Sequence, residues 1–178
     1  MDIGVISVRY ARALLKCATE LKMQQQVYHE MQTLTQSYIQ VPQLRFTIDN
    51  PMLAKEKKEM LLNTAAGGNI SDLTKRFIAL VLNEGRESTI NFMAASYLTL
   101  YRKQNNIIRG RLITAVPVTT QIEKRMRQKV ESRTKGNVEF LTEVNPEIIG
   151  GYILEYDTYR LDASIQNQLR SILTKLSR

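Results

Sequence analysis

Val138-Glu-Phe-Leu-Thr-Glu-Val-Asn-Pro-Glu-Ile-Ile-Gly-Gly-Tyr-Ile-Leu-Glu-Tyr156 is the stretch that sets the fold class. Apolar and polar residues alternate on both sides of Asn145-Pro146, the period of two expected of strands. The second strand, Ile149–Glu155, opens on Gly150-Gly151. A strand led by two glycines forgoes two packing side chains, a loss that is reasonable where backbone must approach something closely. Asp157-Thr158 reads as a tight turn into a short strand, Tyr159–Leu161. A last helix, about Ala163 to Leu176, carries Ile165, Leu169, Ile172 and Leu176 on one face.

Upstream of this stretch, Arg109–Val118 reads as a strand interrupted near Pro117. Thr119 or Thr120 to Thr134 reads as a helix with a narrow apolar stripe of Ile122, Met126 and Val130. Lys135-Gly136-Asn137 reads as a turn. The first 105 residues instead show helical period throughout. Helix 1 spans about Val5 to Lys22, and helix 2 spans Gln24 to Gln40 before Pro42. A short third helix follows. Asp49-Asn50-Pro51 reads as the start of helix 4, which runs to Ala65 and breaks at Gly67-Gly68-Asn69. Ser71 caps helix 5, and Gly85 closes it in the position after the last helical turn. Helix 6 covers Ser88 to Gln104. The expectation is an α+β protein. About six helices over 1–105 form a bundle. A small α/β domain with a short mixed sheet and two helices covers 106–178.

The composition is that of a folded protein: 43% apolar residues, seven methionines and no Trp among 178 residues. No apolar run reaches the ~20 residues needed to cross a bilayer. The first residues resemble neither a secretory leader nor a transit peptide, so the chain is expected to stay in the compartment where it is made. Cys17, the sole cysteine, allows no internal disulfide and reads as an inert core thiol in a reducing cytoplasm.

Charge is concentrated. Ten basic and two acidic residues lie between Arg102 and Lys135, while the rest of the chain holds fifteen of each. Such a region suits nucleic acid, anionic lipid or an acidic protein, or is a solvated helix face with strand edges. It has no aromatic residue after Tyr101, which weakens the case for single-stranded nucleic acid.

Two helices are more apolar than one interface requires. On helix 1, Val8, Ala11, Leu15 and Ala18 form one stripe, and Tyr10, Leu14, Cys17 and Leu21 a second about 110° around. On helix 5, Leu73, Phe77, Leu80 and Val81 form a stripe that Ile78 and Leu82 widen. Either several neighbours pack on each helix, or one stripe is left for a partner's amphipathic helix.

Catalytic sets are not recognisable. His29 lies in a polar stretch and reads as solvated. One His and one Cys cannot make a zinc site of the usual kind or a Cys/His dyad. The chain has no dinucleotide fingerprint and no phosphate loop. Asp157 and Asp162 read as a turn residue and a helix cap. An enzyme is therefore disfavoured, and no cofactor or metal is expected.

Four separated segments together resemble the delta subunit of bacterial F-type ATP synthases, called OSCP in mitochondria. They are Val8-Arg-Tyr-Ala-Arg-Ala-Leu-Leu15, Asn50-Pro-Met-Leu-Ala-Lys-Glu-Lys-Lys58, Phe77-Ile-Ala-Leu-Val-Leu-Asn-Glu-Gly-Arg86, and Val138-Glu-Phe through Ile149-Gly-Gly-Tyr-Ile-Leu154 with Leu161-Asp-Ala-Ser-Ile165. The last is the most specific, although Ala163 stands where that family often has Gly. The resemblance implies a non-catalytic stator subunit of a proton- or sodium-translocating ATP synthase. It implies one copy per complex, on the cytoplasmic side of a bacterial inner membrane, peripheral and not inserted. The helical domain would bind N-terminal helices of alpha subunits through a groove containing Val8, Ala11, Leu14, Leu15, Ala18, Phe77, Leu80 and Val81. A charge at Leu14 or Phe77 would then weaken head binding. The α/β domain would bind C-terminal ends of the b subunits, with Lys124, Arg125, Arg127 and Lys129 as stalk contacts. Gly150, Gly151, Asp162 and Ser164 would be a structural signature. The rival reading is a basic nucleic-acid-binding module using Arg102–Lys135, which predicts phosphate contacts and a steep salt dependence.

Overall fold

The computed structural model describes residues 3–134, 137–156 and 158–176; the side chains at 129, 133 and 134 also lie outside the described set. The expected turns at Lys135-Gly136 and Asp157 fall outside the described residues. The chain divides into two compact units between Lys103 and Gln104.

The helical unit contains α1 (Ile3–Glu20), α2 (Gln24–Gln40), α3 (Gln43–Asp49), α4 (Lys55–Ala65), α5 (Asp72–Asn83) and α6 (Ile90–Gln104), with a 3-10 turn at Glu87–Thr89 before α6. Its core is mainly aliphatic, with one fully buried tyrosine. Val27, Met31, Leu34, Ile48, Leu62, Ile78, Val81, Ile90, Met93 and Tyr97 are all buried. Helix ends follow local chemistry. α1 stops where Lys22 takes a left-handed conformation (φ 56°), and Met23 N–H then reaches the Ala18 carbonyl at 2.8 Å. α5 starts on Ser71, whose Oγ accepts the Thr74 N–H. It closes on Gly85 (φ 63°), with Arg86 N–H on the Val81 carbonyl at 3.0 Å, a Schellman ending.

One helix start differs from the sequence expectation. Asp49-Asn50-Pro51 does not open α4. Asn50 Oδ1 accepts the Met52 N–H at 2.9 Å, closing a side-chain-mediated turn that ends α3, and α4 begins only at Lys55. Asn competes with the helix for its own backbone, and here the turn wins.

The α/β unit contains β1 (Ile107–Thr114), α7 (Thr120–Thr134), β2 (Asn137–Val144), a 3-10 turn (Pro146–Ile148), β3 (Tyr152–Tyr156), β4 (Tyr159–Asp162) and α8 (Ile165–Leu176). The strand order is β2-β1-β3-β4. β1 and β2 run parallel and are joined by α7, whereas β1–β3 and β3–β4 are antiparallel. The sheet is thus mixed and the class α+β. Leu112 faces Leu154 in register, and with Val138 and Val130 of α7 they form the core on one side. Ile113, Ile153 and Ile148 form a smaller cluster. Gly110 pairs with Phe140; a Cβ there would lie 2.6 Å from the Phe140 ring, so the glycine makes room for that ring.

The second strand of the opening stretch starts later than its alternation suggests. Ile149 has φ 68° and ψ −42°, and the Gly150 N–H bonds to the Ile148 carbonyl at 2.8 Å, a γ-turn of the strained hand. Gly151 follows at φ 76°, so pairing begins at Tyr152.

Candidate partner-binding surfaces

On α1 the residues facing the core are Ser7, Ala11, Leu14, Leu15 and Ala18. Two exposed flanks remain. Tyr10 marks one: its ring meets Phe77 of α5 edge-on at 6.5 Å, and Arg86 donates to its hydroxyl at 3.0 Å with the guanidinium 5.3 Å from the ring centre. Cys17 and Leu21 continue that flank, and both are exposed. Cys17 is therefore not a core thiol: within its stripe Leu14 is buried, while Cys17 and Leu21 face outward. Leu80 of α5 is 50% exposed.

Val8 marks the other flank. It lies two residues from Tyr10, which is roughly 160° around a helix. With Ile3, Gly4 and Ser7 it lines a groove of about 550 Å3 whose opposite wall is Phe92, Ala95, Ser96, Thr99 and Leu100 of α6.

The eight expected groove residues differ in exposure in this chain. Val8 opens toward α6, and Leu80 is exposed on α5. Ala11, Leu14, Leu15, Ala18, Phe77 and Val81 are buried. With Leu14 at 4% and Phe77 at 7% exposure, a charge at either position strikes the core as well as any partner. The α6 wall of the groove escaped the sequence reading because its apolar residues merge with those packed inward.

Several cations of the basic stretch have partners within their own unit. Arg102 donates to the Tyr28 hydroxyl at 2.9 Å and lies over that ring. Arg111 is bonded to Glu143 and lies 3.8 Å from Glu155. Hydrogen bonds and ion pairs with these acids raise its pKa further above the ordinary guanidinium value. Arg127 pairs with Glu123 one turn away at 2.8 Å. Lys124 and Arg125 are exposed, and the side chain of Lys129 lies outside the described residues.

Gly150, Gly151, Asp162 and Ser164 converge. Asp162 Oδ1 accepts both the Ser164 N–H and its hydroxyl, and those bonds hold its carboxyl below the usual range. Ser164 Oγ in turn accepts the Asn167 N–H, capping α8. The Ile165 N–H reaches the Gly150 carbonyl at 3.0 Å, and the Ala163 N–H reaches that of Tyr152 at 2.9 Å. A Cβ on Gly151 would sit 2.2 Å from the Ala163 carbonyl oxygen. The glycines thus let the lead into β3 pack against the β4–α8 junction. His29 is exposed. Among the described residues no three His, Cys, Asp or Glu side chains gather as metal ligands, and no helix is long and apolar enough to cross a membrane.

The family described as "ATP synthase delta (OSCP) subunit" matches residues 6–176. An ATP synthase subunit delta of Phocaeicola vulgatus is 46% identical over 97% of this chain and 94% of its own length. One from Parabacteroides distasonis is 41% identical over 99% and 98%. Among solved structures, a chain of the Toxoplasma gondii mitochondrial ATP synthase hexamer superposes with a TM-score of 0.65. It is 16% identical and covers 97% of both chains, a likeness of fold.

Proposed function

We propose, because this chain belongs to the ATP synthase delta (OSCP) subunit family, that it is the stator link between catalytic head and peripheral stalk. The delta subunit is a non-catalytic, structural part of its complex. In the proposed arrangement the helical unit holds amphipathic N-terminal helices of the alpha subunits. The α/β unit holds the C-terminal ends of the b subunits. One copy serves each complex, at the cytoplasmic face of the membrane. Its task is mechanical: the head must not turn with the rotor, so binding has to resist torque through broad contacts. The observation that carries this reading is that the family match runs through both units. The exposed apolar flanks of α1, α5 and α6 support the head assignment, being surfaces on which a partner helix can lie.

Reconstitution tests it. Complexes stripped of the chain should retain ATP hydrolysis but lose ATP-driven ion pumping, and adding the purified chain back should restore pumping. Undiminished pumping without the chain would defeat the proposal.

A further inference from the structure

On the α7 side of the sheet the cover is incomplete. α7 packs over β1 and β2, where Val130 meets Leu112 and Val138. β3 and β4 carry the same face further. Leu154 stands opposite Leu112 on one side and opposite Leu161 on the other, and Tyr156 stands opposite Tyr159. Residues directly opposite one another in antiparallel strands project to the same face. α8 does not roof these two strands: it contributes no residue to this region and buries none of its own.

The result is a half-enclosed cavity of about 160 Å3 between α7 and the outer strands. Val130 and Leu154 are its buried floor, Met126 its wall on α7, and the exposed Leu161 and Tyr159 its rim. The Tyr156 and Tyr159 rings stand stacked beside it, with centroids 5.6 Å apart and planes 23° from parallel. Arg160 borders the cavity, but strand alternation puts its side chain on the other face of the sheet, where its Nε lies 3.5 Å from Glu155. β3 and β4 therefore turn no charge toward the opening.

We infer that this cavity is a binding site for a small, uncharged aromatic molecule of the phenol or indole class. Apolar cavities of about 150 Å3 stay dry and take up a benzene-sized guest. A nucleotide or other drug-sized ligand needs roughly 300 Å3 or more, and a helix is about 10 Å across, so neither fits. The preference for a ring comes from the lining. A third ring meets the stacked tyrosines edge-on or offset, a gain of about two- to tenfold over a saturated guest of equal size. The Met126 thioether favours aromatic edges in the same way. A hydroxyl or N–H on the guest faces the rim, where water and the Tyr159 phenol can pair with it. A phosphate or carboxylate would leave water for a wall of apolar side chains and phenols. The site does not depend on the stator reading; it requires only that the α/β unit be folded.

The test is titration of the full chain, labelled with nitrogen-15, with indole, para-cresol and cyclohexanol, followed through amide chemical shifts. Indole and para-cresol should shift amides of β3, β4 and the second half of α7 saturably, with Kd about 1 mM or tighter. Cyclohexanol should bind about threefold more weakly or worse. Leu161→Trp, which places a ring of the chain's own in the mouth, should weaken indole binding about tenfold or more. Tyr159→Ala, at an exposed position outside the core, should weaken it about threefold or more. Ile172→Asp, on the open stripe of α8, should leave it within about twofold. N-acetylphenylalanine amide, a ring carried on backbone, should bind more weakly than para-cresol, because the cavity has no room for the peptide groups. The dispersion of β3 and β4 amides reports that each variant is folded. The inference is overturned if no saturable shift appears up to about 10 mM indole, or if cyclohexanol binds as tightly as indole. Loss of indole binding in Ile172→Asp rather than in Leu161→Trp and Tyr159→Ala overturns it as well. Equal or tighter binding of the phenylalanine amide gives the site to a partner's side chain and overturns the free-ligand reading.

Discussion

Glu30 of α2 completes the N-terminus of α5 through Ser71: its carboxylate accepts the Ser71 N–H at 2.6 Å and the Ser71 hydroxyl at 2.8 Å. Its second oxygen also takes the Thr74 hydroxyl, and Gln26 donates to the first at 3.1 Å. A buried carboxylate with four donors is sustained by those hydrogen bonds and by the positive end of α5. Glu30→Ala should therefore cost about 2–3 kcal/mol of stability, and Glu30→Gln about 1–2, because an amide nitrogen must then face a donor. Urea titration of the helical CD signal measures both, and equal stability of the two variants would contradict this account.

The two glycines should respond differently. Gly151→Ala combines a left-handed φ with a Cβ 2.2 Å from backbone, so it should destabilise the α/β unit by about 3 kcal/mol or more. Gly150→Ala meets only the Ile165 Cδ1 tip at 2.6 Å, which can swing, and should cost about 1 kcal/mol. Ile149→Gly should stabilise, by up to about 1 kcal/mol, because it relieves φ 68° at an exposed side chain. Hydrogen exchange in β3 and β4 separates the three.

Lys58 is buried and donates to Glu87 at 2.8 Å. Burial alone would raise the Glu87 carboxyl; the Lys58 hydrogen bond and charge outweigh it and hold the pKa below 4.5. A carboxyl depressed in the folded state stabilises fully above its unfolded pKa, and that contribution fades as pH falls through the folded value. Stability of the wild-type chain should therefore decline on acidification below about pH 4.5. Lys58→Met should be less stable at pH 7 and show a shallower acid decline, measured by thermal unfolding from pH 7 to 3.

The proposed head binding is best probed where folding is untouched. Leu80→Asp, on a half-exposed side chain, should weaken binding of an alpha N-terminal peptide about tenfold or more without lowering Tm appreciably. Phe77→Asp should unfold the helical unit. Cys17 should react with maleimide at the rate of an open thiol in the free chain and, if the proposed head contact covers its flank, be protected in the complex.

How far the sequence could be read varies from residue to residue. Gly85, Ser71 and Pro42 set helix ends through local backbone chemistry, which needs no knowledge of the rest of the fold. Ile149 was hidden because a β-branched residue beside Ile148 looks like strand, and only the clasp around Gly151 and Ala163 forces it to positive φ. Cys17 was misplaced for a related reason: an arc wider than one interface does not reveal which half turns inward. The stripe of α8 was plain from its period, but its exposure depends on what else packs there, which periodicity does not record. The burial of Leu14 and Phe77 was equally illegible, since both look identical in sequence to residues on an open flank.

The central place of β1 also shapes how the chain comes into being. β1 pairs on one edge with β2 and on the other with β3, and both follow it in sequence by some thirty residues or more. During synthesis at roughly 5–20 residues per second, β1 leaves the ribosome with both edges bare and waits seconds for its neighbours. A helix closes its own backbone hydrogen bonds as it emerges, whereas a strand has none until a neighbour arrives. Truncation before β3 would therefore leave one edge of β1 as a naked template for aggregation.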